Sequence, residues 1–468
     1  MSTTLELEPD RLFIDATYTL GSGKSSGIER VVRSLLREFE AMGGQARCAV
    51  PQLVVSHGGE FYPVGPKDIQ AFEDTAAMQA NVLSAIPAWY EPFAQATCRI
   101  VRSQRCRKWL LPKPGHLGLF KLWHSQRELG TLRRIASSRE PIRSRYGDLW
   151  LLPDAYWINR LRHSVWPAAA KARSAGAVVA SVIYDLIPLT HPEFVGERRS
   201  TTFLEYLKQA ALNSDALLAI SQTVRDQVRT TLEANAKSSD DASDFCNEVH
   251  SFELGAELRT ASGEARDELK QLFAKPGPTP YLMVSTFDPR KNHHYLLDAF
   301  DRLWQQGDSV KLCLVGRVGS RCDQLLDRLR QHPELGKRLH HFDDLSDAEV
   351  QFCYRQARGV VFPSIVEGFG LPIVESLWFG RKTFASDTPI HREVGQSDCC
   401  YFDLADCASL CRAIRDWEHQ LADQPNIELP QRSLTTWSDS SQQVWQHCRR
   451  VYQSASQRVT NTERVRAA

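Results

Sequence analysis

Two carboxylates, Glu367 and Glu375, stand eight positions apart in the stretch EGFGLPIVE, just after the apolar run GVVF at 359–362. Eight positions on a helix are slightly more than two turns, so Glu375 is expected on a helix and Glu367 in the loop before it. The two can then address different parts of one ligand. Gly368 and Gly370 permit close backbone approach, and Pro372 suits a first helical position, where no amide donor is needed. The free amides and positive end of such a helix suit a diphosphate without a metal. On spacing alone, an acidic first turn followed by a solvated helix glutamate fits equally well.

A second polar stretch, STFDPRKN at 285–292, follows the apolar run YLMV. Pro289 fixes a turn immediately before Arg290 and Lys291. Arg can neutralise a diphosphate by a forked contact and Lys as a point charge; taken alone, the pair also reads as a solvated basic turn. One unit later LVGRVG at 314–319 runs a strand into a glycine-containing loop that includes Gly316. Ser285 and Gly316 thus occupy equivalent strand ends.

These residues need a scaffold that brings strand ends together. The predicted series is strand 281–285, helix 293–305, strand 310–315, helix 322–332, strand 339–342, helix 347–357, strand 359–362, helix 371–379 and strand 382–386. Strands alternating with helices imply a parallel, doubly wound sheet, which takes ligands beyond the carboxyl ends of its strands. The first half is α/β as well. RLFIDAT at 11–17 reads as a strand, GSGKSSG at 21–27 as a loop, and 28–42 as a helix through Ile28, Val31, Val32, Leu35, Leu36 and Phe39. Further strands are expected at 53–55, 149–152 and 178–183, with helices at 202–213 and 223–234. The polar KSSDDASD at 237–244 reads as a surface loop, and 262–280 as a linker between domains.

Composition narrows the class. At 468 residues the chain has room for two large domains, and a net charge of +1 argues against a general nucleic-acid binder. The acidic start lacks the pattern of a signal peptide, and no apolar run reaches bilayer length, so a cytoplasmic protein is expected. Twelve cysteines include no Cys-x-x-Cys pair and read as free thiols. His293 and His294 lack a third ligand at a convincing spacing, so no metal is expected.

The blocks STFDPRKN, LVGRVG, LSDAEV, FPSIVEGFGLPIVESLWFG and FASDTPIHREVG, in that order over 281–402, resemble glycosyltransferase family 4. SGIERVVRSLL at 26–36, YDLIPLTHPE at 184–193 and TTWSDSSQQVW at 435–445 resemble its other landmarks. The resemblance implies the α/β GT-B architecture, two Rossmann-like domains facing across a cleft. The acceptor-side domain would span 1–260, the nucleotide-sugar donor domain 275–432, and a helix at 433–468 would return to the first. It implies retaining transfer of a hexose, with the nucleotide-sugar as substrate and no cofactor. Its nearest variants imply mannose from GDP-mannose and a glycan or polyprenyl-diphosphate-linked acceptor in polysaccharide synthesis, UDP-sugars and GDP-fucose remaining open.

By the same resemblance Glu367 contacts the donor sugar, Glu375 the ribose, and Arg290 and Lys291 the diphosphate. Gly368, Phe369, Gly370, Leu371, Gly316 and Ser285 line the donor pocket, and Gly27 lets the first-domain loop approach the phosphates. Asp185 is a polar group near the reacting centre, or else a strand-end carboxylate capping the next turn. One departure stands beside it, Tyr184 where many family members have a His that contacts the sugar. That departure leaves open an inactive binding or scaffold protein, and the pocket alone leaves open a nucleotide-sugar isomerase. An insertion at 61–146 interleaves cations with Trp109 and Trp123, as expected of a peripheral membrane contact or of a helical insertion packed on the first domain.

Overall fold

The computed structural model describes residues 8–22, 27–45, 48–72, 130–157, 159–236, 248–259, 261–274, 278–319, 321–424, 427, 429 and 432–467. The chain forms two compact units, Met1–Glu253 with Trp437–Ala468, and Leu254–Thr436. Among the described residues no helix is long and apolar enough to cross a membrane.

The first unit is built on β1 (Arg11–Asp15), β2 (Pro51–His57), β3 (Glu60–Pro63), β4 (Asp148–Leu152), β5 (Val178–Ile183), β6 (Ala216–Ala219) and β7 (Val249–Ser251). Their order is β3-β2-β1-β4-β5-β6-β7, and only the β2–β3 hairpin is antiparallel. Gly58 and Gly59 close that hairpin at φ of 60° and 78°, the conformation a two-residue turn demands. Every residue of β4 and β5 is buried, as in a sheet covered on both faces. Trp150 of β4 stacks between Phe13 and Phe61, with centroids 4.3 and 4.4 Å away. The helix Gly27–Gly44 buries Val31, Val32, Leu35 and Phe39, the face its periodicity predicts, and Phe39 meets Trp445 of the helix Trp437–Ala467 edge-on.

Residues 17–22 differ from the expected strand end and loop, because Thr17–Ser22 is a helix. Its cause is distant in sequence. Asp154, just past β4, accepts the Tyr18 and Thr19 amides at 2.7 and 2.9 Å and the Thr19 hydroxyl at 3.0 Å. Asp15, at the end of β1, accepts from Thr17 Oγ1 at 2.6 Å and Tyr156 OH at 2.7 Å. Burial pushes Asp15 up to about 6, and burial together with the Asp15 charge pushes Asp154 up to about 7. Of the basic insertion, Leu132 and Ile135 pack with Val55 and Phe72, and Arg139 pairs with Asp68. Trp109, Trp123 and the cations around them lie outside the described residues, as does KSSDDASD.

The second unit carries β8 (Tyr281–Val284), β9 (Leu312–Val315), β10 (Leu339–Phe342), β11 (Gly359–Phe362), β12 (Thr383–Ser386) and β13 (Cys399–Phe402). Their order is β10-β9-β8-β11-β12-β13 with every pairing parallel, as the alternation predicts. The strand order reverses between β8 and β11, the place where such sheets take ligands. The segment read as a linker holds a helix, Asp267–Phe273, which buries Leu269 and Phe273 beside Tyr354. Arg266 fastens its start, donating at 2.6 Å to Glu349, which itself completes the capping box of Ser346.

Beyond their strands the β8 and β9 ends run on side by side. Ser285 N donates to the Val315 carbonyl, Phe287 N to that of Arg317 and Gly319 N to that of Phe287, all within 2.9–3.0 Å. A Cβ at Gly316 would stand 1.8 Å from the Ser285 carbonyl oxygen. Gly316→Ala therefore forces the two ends apart, and a loss of more than about 1 kcal/mol is expected in urea unfolding. An unchanged midpoint would mean that the loops separate freely.

Candidate functional site

The loop after β8 is shaped by Asp288, whose Oδ1 accepts the Arg290 amide at 3.2 Å and caps a single 3-10 turn, Pro289–Lys291. Asn292, at φ 58°, ends the turn and starts the helix His293–Gln305. This aims Arg290 and Lys291 at the loop that leaves β11. The Ile365 amide donates to the Arg290 carbonyl at 2.8 Å, and Arg290 Nη1 donates to the Val366 carbonyl at 3.3 Å. Glu367 then accepts Arg290 Nη1 on Oε2 at 2.7 Å and Lys291 Nζ on Oε1.

Each carboxylate oxygen thus holds one cation, and the side chains of Lys291 and Glu367 are only 11% and 8% exposed. Burial alone would raise the Glu367 carboxyl, but the Arg290 and Lys291 charges and the hydrogen bond from Lys291 outweigh it and hold it at about 2. Lys291 is lowered by burial and by the Arg290 charge, against the pull of Glu367. Arg290 Nε also lies 3.8 Å from Asp288 Oδ1, so the two cations face two carboxylates. Lys291 Nζ also lies 5.1 Å over the Phe362 ring, which shields it from water.

On the far side of Glu367 the chain passes through buried Gly368 and Phe369 to Gly370, at φ 103°, which precedes the helix Leu371–Trp378. Pro372 is its second residue, one later than the first position expected, and still lies in the turn whose amides have no partner within the helix. Glu375 faces inward at 5% exposure and accepts the Tyr354 hydroxyl on Oε2 at 2.7 Å.

The structure therefore brings Arg290, Lys291 and Glu367 into direct contact, with Gly368–Leu371 continuing from them. Ser285 and Gly316 are adjacent, but the Ser285 hydroxyl lies 3.3 Å from His293 Nε2, and Gly316 is there to admit the Ser285 carbonyl. Gly27 and Asp185 belong to the first unit. Gly27 opens the helix Gly27–Gly44, and Asp185 Oδ1 accepts the Ile187 amide at 3.0 Å, capping the next turn. Tyr184 is 4% exposed and donates its hydroxyl to the Pro153 carbonyl. Its phenol is thus committed inside the unit.

Sequence reasoning missed Tyr354 and His391. Tyr354 reads as one more apolar helix residue, and only its contact with Glu375 shows a polar duty. His391 was visible inside TPIHREVG but carried no spacing signal; it is wholly buried beside Gly370 and Phe362.

Depressed carboxyls set an acid limit on this unit. Both Glu367 and Glu349 are held at about 2, the latter chiefly by the hydrogen bond from Arg266, so the folded form binds fewer protons than the unfolded chain. Their contribution is complete above the ordinary carboxyl value of about 4.5 and disappears as pH falls toward 2. Buried His293, held down to about 3, and His391 add an earlier loss, because the unfolded chain protonates its histidines from about pH 6.5 downward. Hydrogen exchange at β8 and β11 amides should therefore show an opening free energy that begins to fall near pH 6.5 and falls further below about 4.5. Full protection at pH 2.5 would count against the ion cluster.

Comparison with known proteins adds the following. Residues 265–421 match the family profile of glycosyl transferases group 1. The serotype-specific mannosyltransferase WbdA of Escherichia coli is 30% identical over 273 residues, 58% of this chain and 33% of that protein. The O-antigen chain mannosyltransferase RfbU of Salmonella typhimurium is 26% identical over 242 residues, 52% of this chain and 61% of that protein. The chain thus spans about a third of the length of WbdA. A sucrose-phosphate synthase from Thermosynechococcus elongatus superposes over 98% of this chain and 99% of its own at a TM-score of 0.52, with 16% identity, a likeness of fold. The parallel sheet of the second unit, the pairing of its switch-point loops and the family match together identify residues 265–421 as a glycosyl transferases group 1 domain, in a chain of the GT-B fold.

Proposed function

We propose that the chain is a retaining, metal-independent glycosyltransferase that moves a hexose, mannose from GDP-mannose, to a glycan or polyprenyl-diphosphate-linked acceptor in polysaccharide synthesis. The observation that carries this reading is the Glu367 carboxylate gripped by Arg290 and Lys291 at the strand switch point. The names of WbdA and RfbU support mannose and polysaccharide.

On this reading the two cations receive the diphosphate. Arg290 and Lys291 share themselves between it and Glu367, and the carboxylate takes a hydroxyl of the sugar. Glu375, oriented by Tyr354, takes the ribose. In the transfer step the bond from the anomeric carbon to the diphosphate oxygen breaks and its electron pair stays on that oxygen, where the two cations stabilise the new charge. The acceptor oxygen bonds the anomeric carbon on the same face. Its proton passes to the departing oxygen, so the product is the glycoside and a protonated nucleoside diphosphate, with no enzyme nucleophile.

Arg290→Ala or Lys291→Ala should lower nucleoside diphosphate affinity as well as rate. A hydrogen bond to a charged group contributes about 1.5–3 kcal/mol, so roughly a tenfold or larger loss is expected by calorimetry. Activity should persist in EDTA. Glu367→Gln should mainly reduce turnover at saturating donor, whereas Glu375→Gln should mainly weaken nucleotide binding. Unchanged nucleotide affinity in both cation variants, or full loss of activity with EDTA, would defeat the clamp. A thermal-shift screen over nucleoside diphosphates and their sugars identifies the donor, because a ligand bound only by the folded state raises the melting temperature.

A further inference from the structure

The strongest unexplained group in the molecule is the imidazole of His391, on the first turn of the helix Pro389–Gly395. The residue is wholly buried. Nδ1 lies 3.0 Å from the Ser386 carbonyl oxygen and 2.9 Å from Ser386 Oγ, whose own hydroxyl donates to the Ser364 carbonyl. A carbonyl only accepts, so Nδ1 carries the hydrogen and Nε2 carries a lone pair. That lone pair is buried and has no hydrogen-bond partner among the described residues. Such a vacancy is costly unless a ligand fills it.

The surroundings of this edge say which ligand. With Nδ1 fastened to Ser386, the opposite side of the ring faces the loop that carries Glu367. A Cβ added at Gly370 would stand 3.7 Å from His391 Cδ2, the atom next to Nε2, and 3.7 Å from Phe362 Cε1. Gly370 therefore brings bare backbone against that edge, and the Phe362 ring lies 5.2 Å from the imidazole. Burial lowers the His391 imidazole further below its ordinary value and keeps it neutral, although the Glu367 charge pulls the other way. A neutral ring presenting a lone pair repels a phosphate oxygen and accepts from a hydroxyl.

We infer that His391 is a sugar-contacting residue, its Nε2 accepting a hydrogen bond from a hydroxyl of the hexose on the donor, beside Glu367. The inference rests on the donor-site reading above. It divides labour within the site, with Arg290 and Lys291 holding the charged diphosphate and Glu367 and His391 two neutral hydroxyl donors. Ser386 is a positioning residue, since it fixes which nitrogen is left bare.

The test compares two probes on the full chain by calorimetry, GDP-mannose and GDP, or UDP-glucose and UDP should the wild type prefer them. His391→Phe keeps a flat ring and removes the acceptor. Nucleotide-sugar affinity should fall roughly tenfold while nucleoside diphosphate affinity is unchanged. Equal loss for both probes would make His391 a mere support of the loop, and no loss for either would remove it from the site; each overturns the inference. Should the variant fail to fold, the wild type decides by nitrogen-15 NMR of labelled histidine. The His391 Nε2 resonance should be that of an unprotonated nitrogen and should shift with the nucleotide-sugar but not with the nucleoside diphosphate; a protonated Nε2, or equal shifts with both, overturns it. A wild-type chain that binds none of these nucleotides refutes the donor-site reading itself, a different outcome from selective failure at His391.

Discussion

One buried carboxylate holding two cations governs the second unit. Glu367 takes Arg290 on one oxygen and Lys291 on the other, and these bonds, with the Ile365 amide on the Arg290 carbonyl, fasten the loop after β8 to the loop after β11. In a sheet of order β10-β9-β8-β11-β12-β13 those two loops diverge from the point where the strand order reverses. Their fastening converts a topological gap into a fixed wall. Removing Glu367 strands Lys291 away from water beside a like charge, a change that typically costs about 3–5 kcal/mol in a buried pair. The geometry of the site and the joining of the two central strand ends therefore share the same three side chains.

Much of this was legible from pattern. The helix His293–Gln305 and the strands Leu339–Phe342 and Gly359–Phe362 have the bounds that hydrophobic periodicity predicts, because each is long or apolar enough for its own period to decide. The residue types of the cluster were legible too. Their pairing was not, since Arg290 and Glu367 are 77 positions apart and no local rule joins them. The same limit hid the helix Thr17–Ser22, which forms where Asp154, 135 to 136 positions away, accepts its first amides. It hid the helix Asp267–Phe273 in an apparent linker, whose charged surface conceals Leu269 and Phe273.

Several of the residues singled out in sequence also do structural work. The Ser285 hydroxyl is turned to His293, and Gly316 is small because a carbonyl occupies the space of its side chain. In the first unit Tyr184 spends its hydroxyl on Pro153 and Asp185 spends one oxygen on the Ile187 amide. Conversely, Glu375 and His391 acquire sharper roles from neighbours that look unremarkable in sequence, Tyr354 and Ser386. A hydroxyl placed behind a functional group selects its rotamer or its tautomer, and neither leaves a trace in residue spacing.

The pair Asp15 and Asp154 gives the first unit a thermodynamic signature opposite to that of the second. With carboxyls held up at about 6 and about 7, the folded unit retains protons that the unfolded chain, titrating near the ordinary value of about 4, has already surrendered. Stability from these groups is complete below about pH 4 and drains away as pH rises through 6 and 7. Opening of this unit in mildly acidic solution accordingly discharges protons into the medium, and the heat it absorbs includes the ionisation heat of whichever buffer receives them. The two halves of one chain thus keep separate proton accounts, the carboxyls of the first favoured by mild acid and the second weakened by it, since the second buries His293 and His391 as neutral rings and Glu367 as a carboxylate.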